Sequence, residues 1–336
     1  MAHSASTAVA RFAHACSFVL LAALGNAVWA PRLAAQDKPI APDVKWHLQE
    51  LINGLRQYRV ARDEVDWKQV EAKTLAAAAG AQTIPEAFPA IRVALMEIKD
   101  PWAAYRAATG QSVTPEPFKC VPTRTTAPAM PSSVGYLKVA SIPSRGLRAE
   151  REAAVALRTA IKQGDDAGAT AWIVDLRGHF MGSIPAAVMG VAPLMGDGTA
   201  FKMQYADNSK SYNANESSIK INGQEMQMDV GRFALSHKKP RVAVLVDGGT
   251  AGVGELLTIA FLGKDDTRVF GVPTCGIPPI RLVPQKLKNG AEYTLSSMRV
   301  LDRLDRAYRG PIEPQERIDD EAALFTRAIA WVTTGK

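Results

Sequence analysis

Four short stretches of the chain hold small, polar and acidic residues at spacings that could support acyl-group chemistry. They are DLRGHFMGS (Asp175 to Ser183), DGGTAGVGE (Asp247 to Glu255), GVPTCG (Gly271 to Gly276) and YRGPIEP (Tyr308 to Pro314). DLRG follows the apolar run AWIVDL and enters a glycine-containing loop ahead of a helical pattern. Backbone N–H groups in such a place can face developing negative charge, so Gly178, Met181 and Gly182, with Val253 from the second stretch, are candidates for an oxyanion hole or a backbone-binding site. TAGVGE likewise opens a helix after a buried strand, where a nucleophile would be held on a tight turn. Each stretch taken alone is also what ordinary packing at strand-to-helix turns would produce.

The same loops offer an imidazole, hydroxyls and a thiol at His179, Ser183, Thr250 and Cys275. Ser183 with His179 could form a surrogate hydroxyl–imidazole pair, because such a dyad needs only hydrogen-bond reach; the alternative is two solvated loop residues. His47 and His237 have no partners at metal-ligand spacing and there is no Cys/His cluster, so neither a metal nor another cofactor is expected. Of the three cysteines, Cys16 lies in the N-terminal segment read below as a signal, leaving Cys120 and Cys275 as either a disulfide or two buried thiols.

The elements that must position these groups are legible in the apolar periodicity. Val44, Leu48, Leu51, Ile52 and Leu55 recur at helical spacing, and a second helix starts at Asp66 and stops by Gly80. A third has a capping-box spacing at Thr83 and Glu86, a stripe at Phe88, Ile91, Leu95 and Ile98, and a stop at Pro101. Residues 36–108 are therefore expected to form a small N-terminal helical layer, and 109–133, with five prolines and no period, a linker or surface wrap. From Val134 the pattern becomes strand–helix alternation, the grammar of an α/β core over residues 134–320, with a C-terminal helix over 321–336. Lys288-Asn289-Gly290 marks a hairpin that would close this core. Residues 200–232 form an excursion, either a flap over the substrate or an ordinary surface hairpin.

The order and spacing of the four stretches resemble those of the tail-specific, or C-terminal processing, serine peptidases, whose DLRGNxGG, NxxTASSGE, GEPTFGK and GGPIxPD motifs they follow. IKDPWAAY, at the end of the helical layer, is similar to the LxDxHS ending of that family. The resemblance implies an α/β fold with a Clp protease/crotonase-like core. The short 109–133 segment leaves no room for an inserted PDZ domain, which points to the tricorn-like branch. It implies supporting roles for Asp175, Arg177, Thr250, Glu255 and Thr274, and a nucleophilic serine three residues before Glu255. That position is Gly252, which has no side chain to attack a carbonyl. The base of one branch falls on Ile277, and that of the tricorn-like branch on Trp102, whose indole N–H donates and cannot accept a proton. Met181 replaces a family glycine, His179 an asparagine, and Arg309 a glycine. The expectation is a catalytically degenerate member, with serine peptidase activity through relocated groups as the alternative and a peptide or protein chain terminus as the implied partner.

Arg11 precedes the apolar stretch from Phe18 to Ala30, and the first acid is Asp37, which reads as a secretory signal over residues 1–35 cleaved near Ala35; an uncleaved anchor is the alternative. A periplasmic or extracellular location follows, with no integral span after cleavage. Removing Arg11 and Arg32 takes the net charge from +7 to +5, and the basic residues are scattered rather than clustered, which argues against nucleic acid as a partner. With 47% of residues hydrophobic the mature chain can bury a substantial core, whereas nothing in it sets an oligomeric state.

Overall fold

The computed structural model describes residues 38–58, 64–100, 103–115, 120–123, 126–205, 208–215, 218–226, 228–276, 284–295, 298–308 and 310–336. The expected signal over residues 1–35 and the positions Trp102, Ile277 and Arg309 lie outside the described residues.

The N-terminal layer contains α1 (Pro42–Tyr58), α2 (Trp67–Ala77) and α3 (Phe88–Glu97), followed by the short strands β1 (Ala104–Arg106) and β2 (Ser112–Val113). The helical stripes read from the sequence are the buried faces: Val44, Leu48, Leu51 and Leu55 have no exposed surface and pack against Ile91, Leu95 and Ile98. Burial of each such side chain stabilises by about 2 kcal/mol. Asp66 caps α2 through the N–H groups of Lys68 and Gln69, both at 3.1 Å. Thr83 and Glu86 form their capping pair on a 3₁₀ turn, Pro85–Ala87, that leads into α3. Glu86 reaches back to the N–H of Gln82 at 2.8 Å, one residue earlier than the capping-box rule expects.

The core begins with β3 (Val134–Lys138), α4 (Leu147–Asp166), β4 (Ala171–Asp175) and α5 (Ile184–Met195). Four strands follow, β5 (Gly198–Tyr205), β6 (Ser209–Ala214), β7 (Ile219–Ile221) and β8 (Gln224–Glu225), before β9 (Arg241–Val246), α6 (Val253–Phe261) and β10 (Thr267–Gly271). The rest of the chain gives β11 (Gln285–Lys286), β12 (Glu292–Thr294), β13 (Met298–Leu301), β14 (Ala307–Tyr308), β15 (Glu316–Arg317) and α7 (Glu321–Thr334).

β15, β10, β9, β4 and β3 make one parallel sheet in that order. Its central strands are apolar on both faces, as a covered parallel sheet demands. Trp172, Val174, Val242, Val244 and Val246 face the core built with α4, α5 and α6, and Ala171, Ile173, Ala243 and Leu245 face α7. Successive crossovers from β3 to β4, β9 and β10 all move the same way across the sheet, so right-handed connections place α4, α5 and α6 on one side. All the strand carboxyl ends then share one edge, where the DLRG and TAGVGE loops begin.

Two expectations need correcting. The 200–232 excursion is neither a flap nor a lone hairpin: β5 to β8 join β13 and β14 in a six-stranded antiparallel sheet whose Phe201, Met203 and Ile219 pack into the main core. The hairpin around Asn289-Gly290 does not close that core. Its β11 and β12 pair with β1 and β2, and Leu287, Ala291 and Tyr293 sit in the N-terminal core instead. The run AEYTLSSMRV thus divides between two sheets, with β12 in one and β13 in the other.

Candidate functional site

The turn after β9 carries Gly252, the position that the motif resemblance assigns to the nucleophile. Gly252 sits at φ +60°, ψ −114° as the residue before α6, a conformation that L side chains rarely adopt. A Cβ there would lie 2.5 Å from Met181 Sδ, so the methionine from the DLRG loop covers the place a nucleophile would occupy. Val253 begins α6 and is buried. Ala251 N–H donates to His179 O at 2.8 Å, which joins the two loops.

Asp247 organises the rest. Its Oδ1 accepts from the N–H groups of Gly178 at 2.8 Å and Gly249 at 3.0 Å, and its Oδ2 from the N–H of Thr123 at 2.7 Å and the hydroxyl of Thr123 at 2.9 Å. The amide of Gly178, a candidate oxyanion donor, is therefore already occupied. Gly182 stands at φ +145°, where a Cβ would lie 2.5 Å from Ile142 O, so this loop is locked against the β3–α4 connection. Thr250 is fully buried: its hydroxyl lies 3.0 Å from both Leu176 O and Asp247 Oδ1 and accepts from the Asp247 N–H.

The surrogate pair does not form. The Ser183 hydroxyl donates to Glu150 Oε2 at 2.5 Å and accepts from Ala186 N–H as the cap of α5. His179 is fully buried, with Nδ1 at 2.9 Å from Val139 O, which fixes the tautomer with the proton on Nδ1. Burial lowers its pKa, and the bond to Val139 O only partly offsets that. The folded state thus binds fewer protons than the unfolded one below the ordinary histidine pKa. His179 accordingly contributes stability that is complete above about pH 6.5 and is lost as pH falls toward its depressed value. His47, buried against the Tyr105 hydroxyl at 2.9 Å, shifts the same way by burial, with Glu50 opposing. Unfolding free energies from urea titrations at pH 7.5 and 5.5 should therefore differ less in His179→Asn than in the wild type. An unchanged difference between the two pH values would reject this.

The supporting residues act within the fold. Arg177 forms a two-pronged pair with Asp175 at 3.0 and 2.8 Å, both buried, and stacks on Phe325 of α7, away from the elbow. Burial by itself would raise the Asp175 pKa, but Arg177, Lys138 and the Tyr136 hydroxyl outweigh it and hold it below the usual carboxylate value. Glu255 Oε1 accepts from the Thr274 hydroxyl and from Gly276 N–H at 2.7 Å, and Thr274 Oγ1 accepts from Ile312 N–H at 2.8 Å. One carboxylate thereby ties the second, third and fourth stretches together.

The surface wrap expected within residues 109–133 lies over these loops as a strap. Cys120 is joined to Cys275, which settles the open choice in favour of the disulfide, and Pro122 presses on Gly249 and Gly178 while Thr123 holds Asp247. Cysteine parity, which left the disulfide as one of two choices, was the sequence signal for this tie. Phe180, 46% exposed, and Met181, 41% exposed, are exposed apolar groups of the DLRG loop, and Val121 of the strap is exposed as well. Among the described residues no group of three or more His, Cys, Asp or Glu is arranged to hold a metal.

Comparison with known proteins agrees with this geometry. The nisin-resistance protein of Lactococcus lactis subsp. lactis is 28% identical over 162 residues, 48% of this chain, and the matched stretch spans 49% of that relative's length. A lipoprotein from Streptococcus agalactiae superposes with TM-score 0.53 at 16% identity, covering 88% of this chain and 98% of that one. A crystal structure from Parabacteroides merdae ATCC 43184 gives TM-score 0.55 at 15% identity over 85% of this chain and 92% of that one. The profile of peptidase family S41 matches residues 133–317, more than half of the sequence. With its motifs joined in space as they are ordered in sequence, the chain belongs to peptidase family S41.

Proposed function

We propose that this protein is an exported, non-catalytic member of its family that holds an extended peptide or protein chain terminus in the former active cleft. The observation that carries this is Gly252: the elbow keeps its sharp backbone, has no nucleophile, and has Met181 Sδ where one would stand. The one proton of the Ser183 hydroxyl is engaged by Glu150, which weighs against a relocated serine. Strand addition along a cleft edge needs only backbone hydrogen bonds, and Phe180, Met181 and Val121 supply apolar contact for peptide side chains. Export rests on the segment before residue 36, with its late first acid.

A fluorophosphonate serine probe and a peptide with an apolar, free C-terminus test both halves. The wild type is expected to remain unlabelled and to leave the peptide intact while binding it saturably. Gly252→Ser alone should stay inactive and lose about 1 kcal/mol or more, since serine at positive φ is strained and Met181 must move. Turnover abolished by Ser183→Ala or Thr250→Ala with the fold intact would overturn the non-catalytic reading, and labelling of Gly252→Ser would show that a base is already in place, against the reading of Trp102 and Ile277 as empty base positions. Absence of saturable peptide binding would remove the binding one.

A further inference from the structure

A groove of about 650 Å³ opens in the N-terminal layer between α1, α2 and the β11–β12 hairpin, and it shares no lining residue with the strand-end loops. Its size is that of small-molecule sites, roughly 300–1,000 Å³, but its walls are unusually polar for one. Gln49, Asn53 and Gln57 line it at four-residue spacing on α1, so three carboxamides project one turn apart along one face. Each both donates and accepts hydrogen bonds. Glu50 and Glu71 bring two negative charges to the lining and Lys286 and Lys288 two positive ones, so the groove carries no net charge to select an ion.

The concavity is built into the fold. The Tyr293 hydroxyl approaches α1 so closely that a Cβ at Gly54 would lie 2.3 Å from it. Glycine inside a helix costs roughly 0.5–1 kcal/mol relative to alanine, and here it admits the tyrosine ring to the groove wall. The hairpin is fastened to α1 at the same place: Lys288 N–H donates to Glu50 Oε1 at 3.1 Å, and the Lys288 ammonium lies 4.8 Å from the centre of the Trp46 ring. Glu50 Oε2 is buried and accepts no hydrogen bond from the described residues. Trp46 itself remains 46% exposed, an apolar plate one helical turn from the carboxamide ladder.

We propose that this groove binds a neutral oligosaccharide. Apolar C–H faces of a sugar ring pack on the exposed Trp46 indole, and hydroxyl groups, each a donor and an acceptor, pair with the carboxamides of Gln49, Asn53 and Gln57 and with the carboxylates of Glu50 and Glu71. An apolar ligand would desolvate these polar groups without partners, at a free-energy cost for each. A charged one would find no net opposite charge. The site is independent of the peptide cleft and of whether that cleft is catalytic.

The test is titration of the mature chain with two probes, the β-1,4 tetramer of N-acetylglucosamine and cellotetraose, followed by amide chemical shifts. A neutral, end-blocked pentapeptide forms a third arm. At least one saccharide is expected to bind saturably with a Kd on the order of 1 mM or tighter, with shifts centred on α1 and the β11–β12 hairpin. Trp46→Ala and Asn53→Ala should each weaken it about tenfold with the thermal midpoint retained, because both side chains are exposed. If Trp46→Ala fails to fold, Asn53→Ala decides. No saturable shift with either saccharide to roughly 10 mM, affinity unchanged in the variants, or binding here of the pentapeptide alone would overturn the proposal.

Discussion

Cys275→Ser is expected to lower the unfolding free energy by about 3–5 kcal/mol, one of the two largest effects anticipated in this protein. The bond closes a loop of 155 residues, for which the chain-entropy model gives roughly 5 kcal/mol of stabilisation through restriction of the unfolded chain. Native contacts that survive the substitution do not offset this, because the effect resides in the unfolded state. The strap should nevertheless respond locally. Without the covalent tie, Cys120 to Thr123 are held mainly by two bonds to Asp247 and by Pro122 against Gly249 and Gly178. Amide exchange at Gly178 and Gly249, whose N–H groups share that aspartate, should therefore quicken more than exchange within β4 and β9. Guanidinium unfolding of oxidised wild type, reduced wild type and Cys275→Ser checks the first claim, the last two being expected to coincide. Three superimposable curves would show that the bond contributes nothing.

Asp175→Asn should cost about 3–5 kcal/mol, because it leaves Arg177 charged and buried without its counter-ion. The two side chains are 0% and 3% exposed, so solvent screens their interaction little. The Tyr136 hydroxyl, which donates to Asp175 at 2.8 Å, and Lys138, 3.2 Å from it, lose an anionic partner as well. Replacing both members of the pair, as Asp175→Asn with Arg177→Met, should cost less than the sum of the single changes, since no isolated charge then remains inside. The carboxylate's depressed pKa also sets an acid signature. Its contribution is present above the unfolded value near 4 and disappears as pH falls through the folded value. Urea titrations of the four proteins measure the coupling; strict additivity would mean that the pair is energetically idle. Since neither residue faces the elbow, peptide binding by properly folded variants should be retained.

Much of this architecture is legible without coordinates because it is written in local periods. The stripe from Val44 to Leu55 repeats at helical spacing, so burial of one face is decided before any partner is known. AWIV of β4 and VAVLV of β9 are apolar at every position because both faces of a parallel sheet are covered. Asp66 and Thr83 announce their helix starts by side-chain chemistry that acts within three residues. That Gly252 offers no side chain can likewise be read directly, since this is a property of the residue.

Tertiary structure alone decided the features that join distant segments. Thr123 reaches Asp247 across 124 positions, and no period or propensity links two such residues. A proline-rich stretch with no regular pattern therefore became a strap that bears on Gly178 and Gly249. The Asn289-Gly290 turn specified a hairpin but not the sheet that receives it, because turn chemistry fixes local reversal while edge pairing is set by whichever strand lies alongside. His179 and Ser183, four residues apart and chemically suited to each other, were drawn to Val139 O and Glu150 Oε2 instead. In a buried loop a polar group pairs with whatever the fold brings within about 3 Å, and nearness in sequence gives no advantage in that competition.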